Sequence, residues 1–396
     1  MRVLHLTTEF PPVIYGGLGT AVGGWAKACA RAGVEIAVQL VGGVLALDGN
    51  AALYGAPRQP RHRTSHRDVS PPRESEEGIL FIQCSGSDAT AAGVRAVEEW
   101  RPDVVHLHTA MLWYAASAIK AATGKPLVFH VHSVDRAEYD LGNEPNPFLA
   151  QARAQEEAII GSDRLIALTR SEEILLRQYY PEAVPKIRVV GNGIEDTDAA
   201  LQATFSTRPE MPTVLYSGRL VERKGIRELL AAIPEVLQAV PGARFVLTGG
   251  PPPFSAAGVA AQWLEPQHTP FLERIHFTGW QSPAEMALRY AAADILVVPS
   301  RYEPFGMVIS EGMLYGLAIV AADVGGPAEI LEHGRTGLLF PARDVKALSD
   351  ALQRLLKNPD ERNGLGRAAA REVRSKWLWK QLVPPMLDVY REFLVH

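Results

Sequence analysis

Residues 294–312 read as an apolar run, a polar turn and a helical pattern, and they carry two glutamates eight positions apart, Glu303 and Glu311. The run Ile295 to Val298 is short and aliphatic, as in a buried parallel strand, and Pro299-Ser300 ends it. A strand therefore delivers Glu303 to a sheet edge. Phe305, Gly306 and Met307 lead into a pattern with Val308, Ile309, Met313 and Leu314 on roughly one helical face and Gly316 as a stop, so Glu311 falls early in a helix. Backbone N–H groups at such a start suit an anion or sugar hydroxyls. The strand-to-helix turn separates the two carboxylates, which need not form an acid/base pair; separate surface roles are the plainer alternative. A second concentration is the glycine-bounded turn Gly218-Arg219-Leu220-Val221-Glu222-Arg223-Lys224-Gly225. There a planar guanidinium fork and a compact ammonium are suited to a diphosphate, with surface salt bridging as their uneventful use. A third is the histidine pairs His106/His108 and His130/His132 at strand ends, where two-residue spacing puts each pair on one face. Four imidazoles can bind zinc or iron. No carboxylate or cysteine is placed to complete and orient such a site, so hydrogen-bonded core or substrate-contacting histidines are expected, with no metal.

The elements that must position these groups alternate. Residues 2–7 form a first strand, and a loop over 9–15 leads to Gly16-Gly17-Leu18-Gly19 and an amphipathic run to Ala32. Strand, glycine loop, helix is a phosphate-binding order, although a lone GGLG is also what a tight turn looks like. Strands at 34–40, 79–83, 104–107, 127–131 and 165–168 interleave with helices at 89–99, 112–122, 147–161 and 171–180, which means a parallel α/β sheet. A polar stretch without period over 195–212 reads as a linker, and a second array of the same kind follows it. The segment 376–396 is rich in apolar and aromatic residues, interrupted by Pro384-Pro385, and must pack on something.

With 396 residues, the chain suits two domains, each able to bury a core. Hydrophobic residues at 47%, charged residues at 21% and a formal net charge of −4 give no bias towards nucleic acid. The two cysteines, Cys29 and Cys84, lie in apolar segments without zinc spacing, which fits a reducing compartment. No stretch has the pattern of a signal peptide or the length of a membrane span, so the cytoplasm is the expected location. Residues 48–78 are proline- and arginine-rich and read as a mobile loop. Arg58, Arg61, Arg63, Arg67 and Arg73 could touch an anionic acceptor or membrane surface, but a solvated loop is favoured.

Assembled in order, EFPPVIYGGLGTAV at 9–22, VFHVHS at 128–133, VVGNGIE at 189–195, SGRLVERKG at 217–225, PSRYEPFGMVISEG at 299–312, GGPAEIL at 325–331 and GRTGLLF at 334–340 resemble the retaining glycosyltransferases of GT-B fold related to glycogen synthase and sucrose-phosphate synthase, the family 4-like group. The resemblance covers nearly the whole chain. It implies two Rossmann-like domains facing a cleft: an acceptor-side domain over 1–194, onto which 376–396 packs back, and a nucleotide-sugar domain over 195–375. By that resemblance Arg219 and Lys224 neutralise the donor diphosphate as it leaves, the main catalytic electrostatic contribution. Gly218 belongs to the same donor turn. The amides around Phe305, Gly306, Met307 and Val308 hold sugar hydroxyls and a phosphate, Glu303 lies beside the donor sugar, and Glu311 accepts from the ribose. Gly17 lets a loop approach the pyrophosphate, and His132 contacts the sugar near the reacting carbon.

The expected activity is transfer of a hexose, glucose by family bias, from a nucleotide-diphosphate sugar to an unidentified hydroxyl, with retention by front-face attack and no cofactor or metal. A sugar-nucleotide epimerase and a non-catalytic sugar-nucleotide binder are the alternatives; the intact E-P-F-G-x-V turn speaks against the first, and the presence of Arg219, Lys224 and Glu303 against the second. Two positions depart from the K-T-G-G-L-G-D-V of glycogen synthases: the lysine place holds Ile14 and the aspartate place Thr20. The stretch 251–270, near where the family binds the base, resembles an insertion, so base and acceptor stay open.

Overall fold

The computed structural model describes all residues except 12–13, 15, 43–72, 76, 143–148, 198–199, 201, 203–210, 251–261 and 395–396. Arg58, Arg61, Arg63 and Arg67, and the stretch 251–261, therefore lie outside the described residues, as does the side chain of Arg73. Two compact units divide the chain: Met1–Arg136, Asn146–Gly193 and Trp379–His396 form the first, Ala137–Pro145 and Ile194–Leu378 the second.

The first unit is built on β1 (Arg2–Thr7), β2 (Glu35–Val41), β3 (Arg73–Glu74), β4 (Leu80–Cys84), β5 (Val104–Leu107), β6 (Leu127–Val131), β7 (Arg164–Ala167) and β8 (Ile187–Val189), in the order β3-β4-β2-β1-β5-β6-β7-β8. All pairings are parallel except the short β3–β4 ladder. The second unit is built on β9 (Thr213–Ser217), β10 (Arg244–Thr248), β11 (Ile275–Gly279), β12 (Ile295–Val298), β13 (Ala318–Ala322) and β14 (Leu338–Phe340), all parallel, in the order β11-β10-β9-β12-β13-β14. Central strands such as β12 and β13 are buried along their whole length, which is why they read as unbroken apolar runs instead of alternating ones. In each sheet the chain reverses its direction of winding between two neighbouring strands, β1 and β5 in the first, β9 and β12 in the second. In open parallel sheets ligands bind beyond the carboxyl ends of the strands at that reversal. Those ends carry the histidines in the first unit and the 218–225 and 299–312 turns in the second.

Three local differences from the sequence reading have physical causes. Gly17, Leu18 and Gly19 are not a loop; they open the helix Gly17–Arg31, with Gly16 as its N-cap. The small residues serve close packing there: a Cβ on Gly19 would lie 2.6 Å from Ile14 Cγ2, and one on Gly23 would lie 2.4 Å from the Pro11 ring. Pro384-Pro385 does not interrupt the last helix, which runs Trp379–Arg391 through both prolines. Both rings lie on its exposed side, where the carbonyls they leave without N–H partners can turn towards water. A helix over Asp135–Gly142, with no counterpart in the sequence reading, begins just beyond the histidine pair of β6.

The last helix completes the first core. Trp379, Leu382, Val383, Met386, Leu387, Val389 and Tyr390 pack with Trp25, Val128, Ile166 and Val190. Trp25 and Trp379 meet edge to face at 4.9 Å, and Trp25 Nε1 donates to Asn192 Oδ1 at 3.0 Å. Gly193 makes room for Trp379, whose Cδ2 would be 2.7 Å from a Cβ placed there, so the GNG of the VVGNGIE motif has a packing role in the first unit. Among the described residues no helix is long and apolar enough to cross a membrane.

Candidate active site

In the second unit, the strand β9 ends at Ser217 and a turn carries Gly218 to Lys224 before the helix Ile226–Ala239 starts. The turn depends on Gly225, which has φ 71° and caps the helix; a Cβ there would lie 1.9 Å from the carbonyl oxygen of Pro299. Gly225→Ala is therefore expected to destabilise the protein by about 1–2 kcal/mol from the left-handed backbone alone, with the clash added, and a urea midpoint indistinguishable from wild type would show this reading to be wrong. Lys224 reaches from this turn to the one after β12, where its Nζ donates to Glu303 Oε2 at 2.6 Å. Ser300 Oγ donates to the same oxygen at 3.0 Å. Burial pushes the Glu303 carboxyl up, but the Lys224 ammonium, with Arg223 and Ser300, outweighs it and leaves the carboxyl below its usual range. Lys224 is pulled below its usual value by burial and by the positive charges of Arg223 and Arg219, against the pull of Glu303. Arg223, nearly fully buried, is held by Glu138 at 3.4 Å. Arg219 is exposed, and its guanidinium has no partner among the described residues. The two turns thus present more positive charge than Glu303 neutralises.

Beyond Glu303 the chain enters the helix Met307–Leu314 through Gly306, which has φ 94°. The amides that open a helix have no carbonyl one turn back to bind, so those around Met307 and Val308 remain available as donors. Gly326, in the helix Gly325–Ile330, rests against the Phe305 carbonyl, 2.0 Å from where its Cβ would be, and donates its N–H to Glu303 O at 2.9 Å. This accounts for the small residues of GGPAEIL. Glu311 lies within the same helix, and Tyr290 Oη donates to its Oε2 at 2.5 Å. Burial raises the Glu311 carboxyl above its usual value, with the Tyr290 hydroxyl opposing. Its other oxygen has no partner among the described residues.

In the first unit five imidazoles stack around the ends of β1, β5 and β6. His5 lies beside His106 in the β1–β5 register, and ring centroids are 4.2 Å apart for His106/His108 and 4.3 Å for His130/His132. His5, His106, His108 and His130 are fully buried, and His132 is half-buried. Burial holds His5 and His132 at about 3, and burial with neighbouring imidazoles holds the other three well below their usual value. All five are neutral rings at physiological pH. The nitrogens of His5, His106 and His108, and those of His108, His130 and His132, are near enough to one another to suggest a metal site. However, His5 Nδ1 and His108 Nε2 are 2.7 Å apart. That is a hydrogen bond, and in the first set it is shorter than the roughly 3.3 Å between two nitrogens sharing a tetrahedral ion at about 2.0–2.1 Å each, a span that His108 Nδ1 and His132 Nε2 of the second set do have.

The second unit brings Arg219, Lys224, Glu303, Phe305, Gly306, Met307, Val308 and Glu311 onto two adjoining turns and one helix, with Gly218 N–H bonded to Thr248 O at 3.1 Å. Gly17 and His132 belong to the first unit. Ile14 packs on Gly19, and Thr20 Oγ1 donates to Gly16 O at 3.5 Å, so neither supplies a charge. Sequence reasoning missed His5, Ser300, Arg223 as a buried cation, Tyr290 and Tyr390. Ser300 had a signal, standing three residues before Glu303 on the same turn. The others come from elements whose neighbours only the sheet order reveals.

Two parallel-sheet units, each with its residue cluster at a winding reversal, form the architecture of a GT-B glycosyltransferase. Sucrose-phosphate synthase from Thermosynechococcus elongatus shares this fold at TM-score 0.77 and 22% identity, with 99% of each chain covered. The family described as Glycosyltransferase Family 4 matches residues 15–198, and that described as Glycosyl transferases group 1 matches residues 211–358. The chain belongs to these group 1, family 4-like glycosyltransferases. It is 27% identical to glycogen synthase of Mycobacterium tuberculosis, over 98% of this chain and 94% of that one. It is 29% identical to alpha-maltose-1-phosphate synthase of Mycolicibacterium smegmatis, over 99% of both.

Proposed function

We propose that this glycosyltransferase moves a hexose, glucose first among them, from a nucleoside-diphosphate sugar to an acceptor hydroxyl with retention of configuration. The observation that carries this is the positive surplus of Arg219 and Lys224 over Glu303 at the β9/β12 reversal, where the charge of Arg223 is already met by Glu138. A diphosphate relieves the repulsion among these cations and is itself stabilised as it departs. Amides around Phe305, Gly306, Met307 and Val308 take sugar hydroxyls and a phosphate oxygen, and Glu303 orients the sugar. For the first unit, the same reading gives His132 the sugar and Gly17 the pyrophosphate. In the transfer step the acceptor oxygen bonds to the anomeric carbon on the face from which phosphate leaves, the carbon–phosphate oxygen bond breaks, and the hydroxyl proton passes to the departing phosphate oxygen. Supporting this over a covalent glycosyl-enzyme, Glu303 has its Oε2 occupied by both Lys224 and Ser300, which stabilises a carboxylate and weakens it as a nucleophile. Two cations at the leaving group make a divalent metal dispensable. Glucose as the first choice is supported by relatives named for glucose-built products, a polymer in one case and a disaccharide phosphate in the other. Their difference, with Ile14 and Thr20 at the departing positions, keeps the acceptor a separate question. The buried free thiols Cys29 and Cys84 support a cytoplasmic setting.

The test is a thermal-shift screen of nucleoside diphosphates and their sugars in EDTA. Product configuration is then read by NMR with the donor that stabilises most. An inverted product, or activity that needs added metal, would overturn the mechanism, and stabilisation by no nucleotide would overturn the donor class. Glu311 is the ribose acceptor in this reading, through the oxygen Tyr290 leaves open. Glu311→Ala is accordingly expected to weaken nucleoside diphosphate binding roughly tenfold or more, as loss of a hydrogen bond to a charged group does, without changing the preference among sugars. A changed sugar preference at unchanged nucleotide affinity, measured by calorimetry, would move Glu311 to the sugar.

A further inference from the structure

Three of the stacked imidazoles are linked end to end. His5 Nδ1 lies 2.7 Å from His108 Nε2, and His108 Nδ1 lies 3.3 Å from His132 Nε2. A neutral imidazole has one N–H and one lone pair, so a chain of such rings runs head to tail with one of two polarities. In one, His132 donates to His108, His108 donates to His5, and His5 keeps its proton on Nε2, a buried nitrogen without a partner. In the other, His5 Nδ1–H donates to His108 Nε2 and His108 Nδ1–H donates to His132 Nε2, so the atom left bare at the buried end is a lone pair. Buried N–H groups without acceptors are rarer in folded proteins than under-used acceptors, which selects the second polarity. The neighbouring rings do not alter this choice: His106 Nδ1 is engaged with Tyr390 Oη at 2.6 Å, and neither nitrogen of His130 has a partner.

We propose that His5 and His108 are positioning residues that hold His132 as its Nδ1–H tautomer, so that this half-buried ring offers a hydrogen-bond donor, and no base, to an oxygen of the bound sugar donor. The inference rests on the reading of His132 as a sugar contact. With Nε2 occupied by His108 and Nδ1 protonated, His132 has no lone pair with which to take the acceptor proton. That role stays with the departing phosphate.

Long-range proton–nitrogen spectra of histidine-labelled protein without ligand test the chain, with the His132 signals assigned by their loss in His132→Gln. The expected result is a neutral His132 with its proton on Nδ1 at pH 7.5. His5→Leu removes the first donor and releases His132 towards the Nε2–H tautomer. His5→Asn, whose side-chain amide can donate from near the Nδ1 position, restores Nδ1–H. Turnover is expected to fall roughly tenfold in His5→Leu and to recover in His5→Asn, with affinity for the nucleoside diphosphate unchanged in both. An Nε2–H tautomer on His132 in the wild type, or an unchanged tautomer in His5→Leu, overturns the proposal. If His5→Leu does not fold, the wild-type spectrum decides. Absence of transfer with every donor would remove the sugar contact, while the ligand-free spectrum still decides the tautomer, so the two failures are distinguishable.

Discussion

Lys224→Ala is expected to lower turnover by about 10²- to 10³-fold, the usual cost of removing one preorganised charge or donor at developing negative charge. Stability changes with it, because Lys224 is also the counter-ion of a carboxylate that is only 8% exposed. A buried carboxylate deprived of its partner costs about 3–5 kcal/mol, unless it takes up a proton. The double variant Lys224→Ala/Glu303→Gln separates the two effects: the urea midpoint recovers and turnover does not. Arg219→Ala supplies the complementary case. Arg219 is exposed and without a partner among the described residues, so its removal leaves the midpoint unchanged while turnover falls by a comparable factor. Near-normal activity in either single variant would remove the phosphate role assigned to this turn.

The second large effect is on stability against acid. His5, His106, His108 and His130 are fully buried with pKa values held below the ordinary 6.5. Below that value the unfolded chain binds protons that the folded one refuses, so stability falls as pH drops through about 6.5 and goes on falling towards the folded values. The steepest slope is about 1.4 kcal/mol per pH unit for each group. Between pH 7.5 and 5.5 that amounts to about 1 kcal/mol from each of the four rings, several kcal/mol together. Glu303, whose folded value is depressed, gives stability that is lost only at more acid pH, and Glu311, whose folded value is raised, works in the opposite direction. Urea midpoints measured across this range should decline steeply, and His130→Phe, which removes one titrating ring, should make the decline shallower. A flat profile from 7.5 to 5.5 would show that the cluster accommodates protons after all.

Much of the second unit's cluster was legible because its chemistry is local. Glu303, Phe305, Gly306 and Glu311 follow one strand within sixteen residues of Ile295, and Arg219 and Lys224 follow another within eleven of Val214, so strand and helix periods alone assign them to turns. What links the two turns is the β9–β12 pairing, and no pattern in either segment announces that Lys224 will bond Glu303. The histidines divide in the same way. Spacing put His106 and His108 on one face, and His130 and His132 on another, whereas His5 joins them only because β1 lies next to β5, 99 residues further along at Val104. The glycines carry a packing requirement that their spacing does not show: Gly19 and Gly23 are small because Ile14 and the Pro11 ring lie against their helix. Pro384 and Pro385 look like a break in the sequence because it does not show that their face of the helix is the exposed one.

The position of the last helix bears on the order in which the molecule is made. Trp379 to Tyr390 fill the first core, and the His106 imidazole has Tyr390 as its hydrogen-bond partner, 284 residues downstream. During synthesis the whole of Ile194–Leu378 emerges before those residues exist, so the unit begun first is completed second. Until then Trp25 and the histidine strands lack their cover. At translation speeds of about 5–20 residues per second, that is an interval of about ten to forty seconds during which the nascent first unit exposes apolar surface.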